Sequence, residues 1–213
     1  EEFMGNQAGA VSTSCGQLIS RNGGAGALCT TASAIINRTN QQGVVQHNTG
    51  TTATGFSGWS YSPGLFIGTG TISIETYITV STVSTSLERF FTVFGYGTPS
   101  NWASMPNAIF MTYDEGGGVY FANASPNWKC YTRAGGVVTV TLSSVPIVAQ
   151  QWYKLRIEIN AAGTSVGFYV NNVLIATHTT NIPANNINMS LISLLVKTVG
   201  TTARTAQSDY FNY

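Results

Sequence analysis

The stretch from Gln150 to His178, QQWYKLRIEINAAGTSVGFYVNNVLIATH, carries the alternation that determines the fold. Its first half alternates between an apolar set, Tyr153, Leu155, Ile157 and Ile159, and a charged set, Lys154, Arg156 and Glu158. A period of two residues is typical of a β-strand with one buried face and one solvated face. The first half of the stretch is therefore predicted to be such a strand.

Two more strands follow in the same stretch. Val166, Phe168 and Val170 share one face, and Asn171-Asn172 separates this strand from the apolar run Val173–Thr177. Asn tolerates the positive φ that tight hairpin turns require. The stretch therefore predicts an antiparallel meander with a solvated outer face, which is typical of sandwiches and barrels rather than of α/β enzymes.

Strands recur along the rest of the chain about every 8–12 residues, with turn signals between them. The predicted strands are Ala27–Asn37, Gly43–His47, Phe56–Tyr61, Thr71–Thr82, Arg89–Tyr96, Ala108–Asp114, Val119–Asn123, Trp128–Arg133, Val137–Ser143, Met189–Thr198 and Ala203–Asn212. No segment sustains the helical period of about 3.6 residues, so we expect very little helix. The sequence predicts an all-β, two-sheet antiparallel sandwich or jelly roll, with one domain over residues 1–213.

The composition excludes several classes of partner. Charged residues make up only 8% of the chain and the net charge is +1, whereas ordinary soluble domains are roughly 25% charged. Scattered basic residues offer no stripe to neutralise phosphates, so we expect no nucleic-acid partner. No apolar run approaches the ~18 residues of a membrane helix, so we expect no membrane insertion. A neutral, hydroxyl- and amide-rich surface suits shells, fibres and adhesins.

The sequence gives no sign of a metal or cofactor site. His47 and His178 lack the neighbouring ligands that a zinc site requires, and the acidic loop at Asp114 fits a hairpin turn better than a calcium site. Three cysteines, Cys15, Cys29 and Cys130, leave two alternatives, a Cys15–Cys29 disulfide or three buried thiols. We favour thiols, because a domain of this size needs no disulfide.

No catalytic residues are predicted. Glycoside hydrolysis needs two carboxylates on one face, and the acidic residues Glu75, Glu88, Glu158 and Asp209 are isolated in the sequence. We therefore expect a protein that is not an enzyme. Hydrolysis stays open as an alternative only if two of these carboxylates converge in space.

Aromatic residues are the stronger candidates for function. Tyr and Trp rings cover the apolar faces of sugars while amide side chains hydrogen-bond their hydroxyls. On this basis the candidate carbohydrate-binding residues are Tyr96, Asn101, Trp102, Tyr120, Trp128 and Tyr169. Packing of the aromatic rings in the core or in a subunit interface is the alternative.

Several motifs, in order along the chain, resemble the concanavalin A-like jelly-roll domains of tailed-bacteriophage structural proteins. They are Gly43-Val44-Val45, Thr49-Gly50-Thr51-Thr52-Ala53-Thr54-Gly55, Phe94-Gly95-Tyr96-Gly97, Trp152-Tyr153-Lys154-Leu155, Phe168-Tyr169-Val170-Asn171-Asn172, Thr180-Asn181-Ile182-Pro183 and Lys197-Thr198-Val199-Gly200-Thr201. The resemblance implies a virion protein from a tail fibre, spike or capsid fibre. Such a protein is assembled in the bacterial cytoplasm and exposed on the particle surface.

The resemblance leaves three functional hypotheses. The first is a lectin-like module that attaches the particle to host-surface glycans, and the second is a purely structural domain that contacts other virion proteins. The third is a glycan-cleaving hydrolase on the same fold, since fold alone does not fix function. A secreted cellular lectin is a further alternative, and fibre architecture leads us to expect a homo-oligomer, specifically a trimer.

Overall fold

The computed structural model describes residues 14–15, 18–32, 35–36, 44–98, 105–114 and 125–212. Within these ranges the chain forms β-strands and no helix, and the strands make an eight-stranded sheet and a seven-stranded sheet in which all pairs are antiparallel. The predicted all-β, two-sheet antiparallel sandwich is confirmed. The same described residues contain no helix with the length and hydropathy of a membrane span.

The strands follow one another in short steps. They are β1 (Ser14–Cys15), β2 (Leu18–Gly23), β3 (Ala27–Thr31), β4 (Val45–Thr49), β5 (Phe56–Leu65), β6 (Ile72–Val80), β7 (Arg89–Gly97), β8 (Ala108–Asp114), β9 (Ser125–Ala134), β10 (Val137–Pro146), β11 (Tyr153–Ile159), β12 (Val166–Val170), β13 (Val173–His178), β14 (Met189–Val199) and β15 (Thr205–Asn212). The eight-stranded sheet has the order β1-β2-β5-β14-β7-β8-β9-β10, and the seven-stranded sheet has the order β13-β12-β11-β6-β15-β4-β3. Sequence-distant strands are thus neighbours in both sheets, as a jelly roll requires.

The predicted central meander is confirmed as β11, β12 and β13. Leu155, Ile157 and Ile159 are fully buried, and the residues between them lie on the solvated face. Asn171 and Asn172 have φ values of 50° and 68°. Both turn residues therefore take the left-handed conformation that a two-residue hairpin needs.

Apolar residues of the eight-stranded sheet are buried on both of its faces. Its inner face packs against the seven-stranded sheet through side chains such as Trp59, Phe94 and Leu195. Its outer face carries a second buried cluster of Phe91, Val93, Met105, Ala108, Phe110, Tyr131, Ile192 and Leu194. Phe110 and Tyr131 stack within this cluster, with ring centroids 4.4 Å apart. The alternation predicted from β11 therefore holds for β4, β11 and β12 of the seven-stranded sheet. It does not hold for the central strand β15, where Ala206–Asp209 are all buried, or for the middle of the eight-stranded sheet.

Some boundaries differ from the predictions. The strand predicted at Ala27–Asn37 ends at Thr31, and β2 was not predicted. The strand predicted at Val119–Asn123 lies outside the described residues. Cys130 is a buried free thiol whose pKa is raised by burial, and Cys29 is buried.

Candidate functional site

The six predicted carbohydrate-binding residues fall into three groups. Tyr169 lies on the solvated face of β12 and is partly exposed. Tyr96 and Trp128 are each only 1% exposed. Asn101, Trp102 and Tyr120 lie outside the described residues, so their placement stays a prediction.

The expectation of exposed rings is wrong for Tyr96 and Trp128. Tyr96 shares the inner face of β7 with Phe94, and β7 is a central strand buried on both faces. The Trp128 indole packs edge-on against the ring of Tyr153, with the centroids 5.6 Å apart, in the core between the two sheets. A glycan cannot reach either ring in this structure.

Around Tyr169, three side chains of β11 and β12 form one connected group. Arg156 is the cross-strand partner of Tyr169, and its guanidinium carbon lies 3.9 Å from the centre of the tyrosine ring. Arg156 also forms an ion pair with Glu158. A hydrogen bond from the Tyr169 hydroxyl to the Glu158 carboxylate is the main cause that raises the pKa of Tyr169. The guanidinium of Arg156 over the ring and the carboxylate of Glu158 at the hydroxyl thus hold the Tyr169 side chain in place.

A glycine allows the ring of Tyr169 to lie low on the sheet. Gly167 precedes Tyr169 by two residues on the same face and pairs with Glu158. A Cβ atom at Gly167 would lie 3.1 Å from the ring carbon Cε2 of Tyr169. Contacts this short are rare for real Cβ atoms, so a side chain at this position would push the ring away from the strand.

A shallow cleft of about 320 Å³ opens beside Tyr169, where β11 ends and β12 begins. Its lining includes Thr71, Glu158, Asn160, Tyr169, Leu174 and Thr177. One wall is the loop that follows β11, where the Asn160 side-chain oxygen accepts hydrogen bonds from the backbone N–H groups of Thr164 and Ser165, at 2.8 and 3.0 Å. The cleft therefore combines an aromatic ring, a carboxylate and hydroxyl groups beside a loop that hydrogen bonds hold in place.

The fold brings together two carboxylates that are 83 residues apart in sequence, Glu75 and Glu158 (158 − 75). Glu75 pairs with Arg156 across β6 and β11, so Glu158 is its diagonal neighbour on the same face. Diagonal positions on a sheet are about 7–8 Å apart. Lys154 binds Glu75 at 2.9 Å and Arg156 binds Glu158, so two cations balance two anions on this face.

The two histidines lie in the interior. His178 is bonded through its two ring nitrogens to the hydroxyls of Thr132 and Thr141, both at 2.9 Å. His47 is completely buried, and this lowers its pKa to about 4. In the part of the chain that the structure describes, no group of three or more His, Cys, Asp or Glu side chains is arranged to hold a metal ion.

Sequence analysis identified Tyr169 but not its partners Arg156 and Glu158. The alternation in Tyr153–Ile159 did assign both side chains to the solvated face. Their contact with Tyr169 depends on the register between β11 and β12, which the length of the loop from Asn160 to Ser165 sets. The loop length therefore contained the information on this contact, but only an explicit model of the β11–β12 hairpin would have revealed the pairing of Arg156 with Tyr169.

Solved structures show what this fold resembles. A crystal structure of a protein of unknown function, SO2946 from Shewanella oneidensis MR-1, is 14% identical, with a TM-score of 0.60, covering 98% of this chain and 84% of that one. An endo-β-1,4-glucuronan lyase from the fungus Trichoderma reesei is 10% identical, with a TM-score of 0.57 and coverages of 91% and 93%. The carbohydrate recognition domain of Emp46p is 8% identical, with a TM-score of 0.56 and coverages of 94% and 91%. At these identities the similarity shows the fold alone.

Sequence comparison establishes the family. None of the curated proteins matches this chain. The family model described as "SO2946-like, C-terminal domain" matches residues 40–209, which includes the β11–β13 meander and the cleft beside it. The chain therefore belongs to the SO2946-like C-terminal domain family.

Proposed function

We propose that this chain is a non-catalytic carbohydrate-binding module that attaches a bacteriophage particle to glycans on its host. The observation that carries the binding function is the cleft beside Tyr169, where the aromatic ring, the Glu158 carboxylate and neighbouring hydroxyl groups converge. Sugars present apolar C–H faces and many hydroxyls, and mixed aromatic and polar clefts bind both.

The charge balance of the cleft favours a neutral glycan. Arg156 and Lys154 are already paired with Glu158 and Glu75, so no unbalanced cation faces the ligand. A uronate sugar would bring its own carboxylate next to Glu158, and like charges at this distance repel. A neutral sugar hydroxyl accepts from Arg156 or donates to Glu158 without disturbing either pair.

The same ion pairs support a role without catalysis. A glycosidase needs one carboxylic acid to protonate the leaving group and a second carboxylate as base or nucleophile. Glu75 and Glu158 are close enough in space to raise this question, but each is held by a basic side chain.

The structural neighbours are consistent with a carbohydrate ligand. The Emp46p domain is named for carbohydrate recognition, and the fungal protein is named as a glucuronan lyase. Both share the sandwich with this chain at very low identity, so they support the class of ligand and not a particular sugar.

A glycan array tests the binding proposal. The wild type is expected to bind neutral oligosaccharides, and Tyr169→Ala is expected to lose about tenfold or more in affinity, as an anchoring aromatic residue does. Tyr77→Ala is the matched control, because Tyr77 is a partly buried tyrosine outside the cleft lining, on β6, which lies on the other side of β11 from β12. Binding to no glycan by the wild type, or equal binding by Tyr169→Ala, would contradict the proposal.

The same samples distinguish the two alternative functions. Release of reducing ends from host polysaccharide by the wild type would favour a hydrolase, and its loss in Glu158→Gln would assign that activity to this cleft. A wild type that neither binds nor cleaves glycans would favour a structural role among other virion proteins.

The virion setting of the proposal is supported by the sequence resemblance and by the low charge content of 8%. In this setting the protein is assembled in the host cytoplasm and exposed on the particle surface. Mass spectrometry of purified phage particles, with uninfected host lysate as the control, tests it. Absence of the chain from particles whose genome encodes it would contradict this part of the proposal and leave the binding function intact.

A further inference from the structure

The eight-stranded sheet ends in a long strand with an open edge, β10. Within the described residues no strand pairs with β10 on the side away from β9. At the opposite end of the same sheet, the described part of β1 has only two residues. Short edge strands offer little to pair with, whereas a ten-residue edge strand is a template for another strand.

The hairpin between β9 and β10 determines which backbone groups of β10 face the open edge. Its two-residue turn is Gly135-Gly136, with φ values of 56° and 91°, and Ala134 pairs with Val137 across it. In a two-residue hairpin the flanking pair exchanges both hydrogen bonds, and every second residue after it points its N–H and C=O away from the partner strand. These outward residues are Val138, Val140 and Leu142.

The side chains of the same three residues form an exposed apolar row. Val138, Val140 and Leu142 are 44%, 43% and 53% exposed. Val140 pairs with Tyr131, which is stacked on Phe110 in the buried outer cluster of the sheet. The apolar outer face of the sheet therefore reaches the open edge at Val140, whereas Val138 and Leu142 pair with the charged residues Arg133 and Lys129 of β9.

Among the residues that the structure describes, none of the usual protections of an edge strand is present along this row. Natural edges carry charged side chains, inward-pointing lysines, prolines or bulges that prevent pairing. From Val137 to Val145, β10 contains no charged residue and no proline, and its register with β9 is regular from Val137 to Leu142. Strand β13, the edge strand of the seven-stranded sheet, differs in this respect. Its pairing with β12 shifts register between Phe168 and Tyr169 of β12.

The inner face of β10 is held in place by side-chain hydrogen bonds. The Thr141 hydroxyl lies 2.9 Å from the Nε2 atom of His178, and the Thr139 hydroxyl lies 2.8 Å from that of Thr180. The Asn181 side chain donates to the Thr139 hydroxyl at 3.0 Å. These bonds fix the strand to β13 and the loop after it, and no bond among the described residues uses its outward backbone groups. The edge is thus preorganised for pairing.

We propose that β10 is the contact strand of a two-fold dimer, in which a second copy of this chain adds its own β10 antiparallel to the first. The strand is self-complementary: with the axis at Val140, each Val140 faces its counterpart and each Val138 faces Leu142 of the partner. Apolar side chains meet on one face and hydroxyls on the other. The three outward pairs exchange about six hydrogen bonds and make one continuous sheet. Because β10 has no charged residue from Val137 to Val145, a second copy puts no charge into the contact. An ordinary charged protein surface would put charges against this apolar row.

Analytical ultracentrifugation of the whole chain over a wide concentration range tests the dimer. The wild type is expected to show a monomer–dimer equilibrium. Val140→Lys places two like charges on the axis and is expected to raise the dissociation constant by about 100-fold. Val140→Pro removes only the outward N–H, which an edge strand tolerates, and is expected to weaken the dimer without unfolding the hairpin.

A charge exchange tests the register. Val138→Lys/Leu142→Lys places like charges opposite each other and is expected to remain monomeric. Val138→Glu/Leu142→Lys places opposite charges across the axis and is expected to recover the dimer. Val199→Lys is the matched control, since Val199 is 38% exposed at the end of the central strand β14, and it is expected to dimerise as the wild type does.

Three results would overturn the proposal. The first is a wild type that stays monomeric up to submillimolar concentration. The second is a dimer or trimer that both Val140 variants leave unchanged. The third is equal behaviour of the two charge-exchange variants, which would show that Val138 and Leu142 do not face each other. Circular dichroism of each variant separates loss of contact from loss of fold.

Discussion

Acid is expected to destabilise this protein through His47, a histidine inside the sandwich. His47 lies on β4 between Cys29 of β3 and Ala206 of β15, with 1% of its surface exposed. Its Nε2 atom lies 3.2 Å from the Ser208 hydroxyl, and its Nδ1 atom has no hydrogen-bond partner among the described residues. Because a buried imidazolium would lose its hydration, burial lowers the pKa of His47 from 6.5 to about 4.

The size of the effect follows from these two pKa values. The folded state has the lower pKa, so the unfolded chain takes up the proton first as the pH falls. The contribution of His47 to stability is therefore complete above about pH 6.5 and decreases as the pH falls towards 4. At 1.36 kcal/mol per pKa unit, the loss is about 1 kcal/mol at pH 5.5 and about 2–3 kcal/mol at pH 4.5.

Urea denaturation of the wild type, His47→Gln and His47→Leu at about pH 7.5, 5.5 and 4.5 measures this loss. The variants start from a lower stability, but carboxylates and His178 titrate alike in all three proteins. The wild type should therefore lose about 2–3 kcal/mol more than either variant between the highest and lowest pH. Parallel pH profiles for all three proteins would refute the reasoning, because His47 would then titrate equally in the folded and unfolded chains.

Three further substitutions probe the fold. Trp128→Ala should lower the free energy of unfolding by about 3–5 kcal/mol in urea, because it leaves a cavity between the sheets. Lys197→Met should lower it by about 2 kcal/mol and the melting temperature by about 4–8 °C, because the buried ammonium donates to the carbonyls of Gly50 and Thr202 at 2.7 and 3.1 Å. Asn172→Ala should cost about 1 kcal/mol in the same melting assay, because its φ of 68° disfavours alanine, whereas Asn172→Gly should not destabilise.

The fold was predictable where one face of a strand is apolar and the other polar. Tyr153–Ile159 and Val166–Val170 show this alternation, and the structure confirms their faces and the Asn171-Asn172 turn. β7 gives no such signal, because its sequence RFFTVFGYG is apolar at both sets of alternating positions. A strand buried on both faces reads as a continuous apolar run, so the second apolar layer was not predicted.

The site was predictable only in part, for the same reason. Tyr169 was assigned outward because Phe168 and Val170 are the inward residues of β12, and this is confirmed. Tyr96 belongs to the continuous apolar run of β7, where alternation cannot separate the faces. For Trp128 the sequence did contain a signal of burial, since the charged residues Lys129 and Arg133 lie on the opposite face of β9. Side-chain faces follow from local sequence, whereas the pairing that places Arg156 over Tyr169 depends on register.

The two sheets present outer faces of opposite character, and this separates the two proposed contacts. The seven-stranded sheet is polar around Tyr169 and needs no cover, so it remains open to a hydrated ligand such as a sugar. The eight-stranded sheet is apolar to its edge at Val140, where burial against a protein strand is favourable. Because the contacts lie on different sheets, Val140→Lys should change self-association and leave glycan affinity per chain unchanged, while Tyr169→Ala should do the reverse. Glycan titrations at concentrations below and above the dimer dissociation constant measure this. A single substitution that alters both properties equally would show that the sites are coupled and that the division between the two faces is wrong.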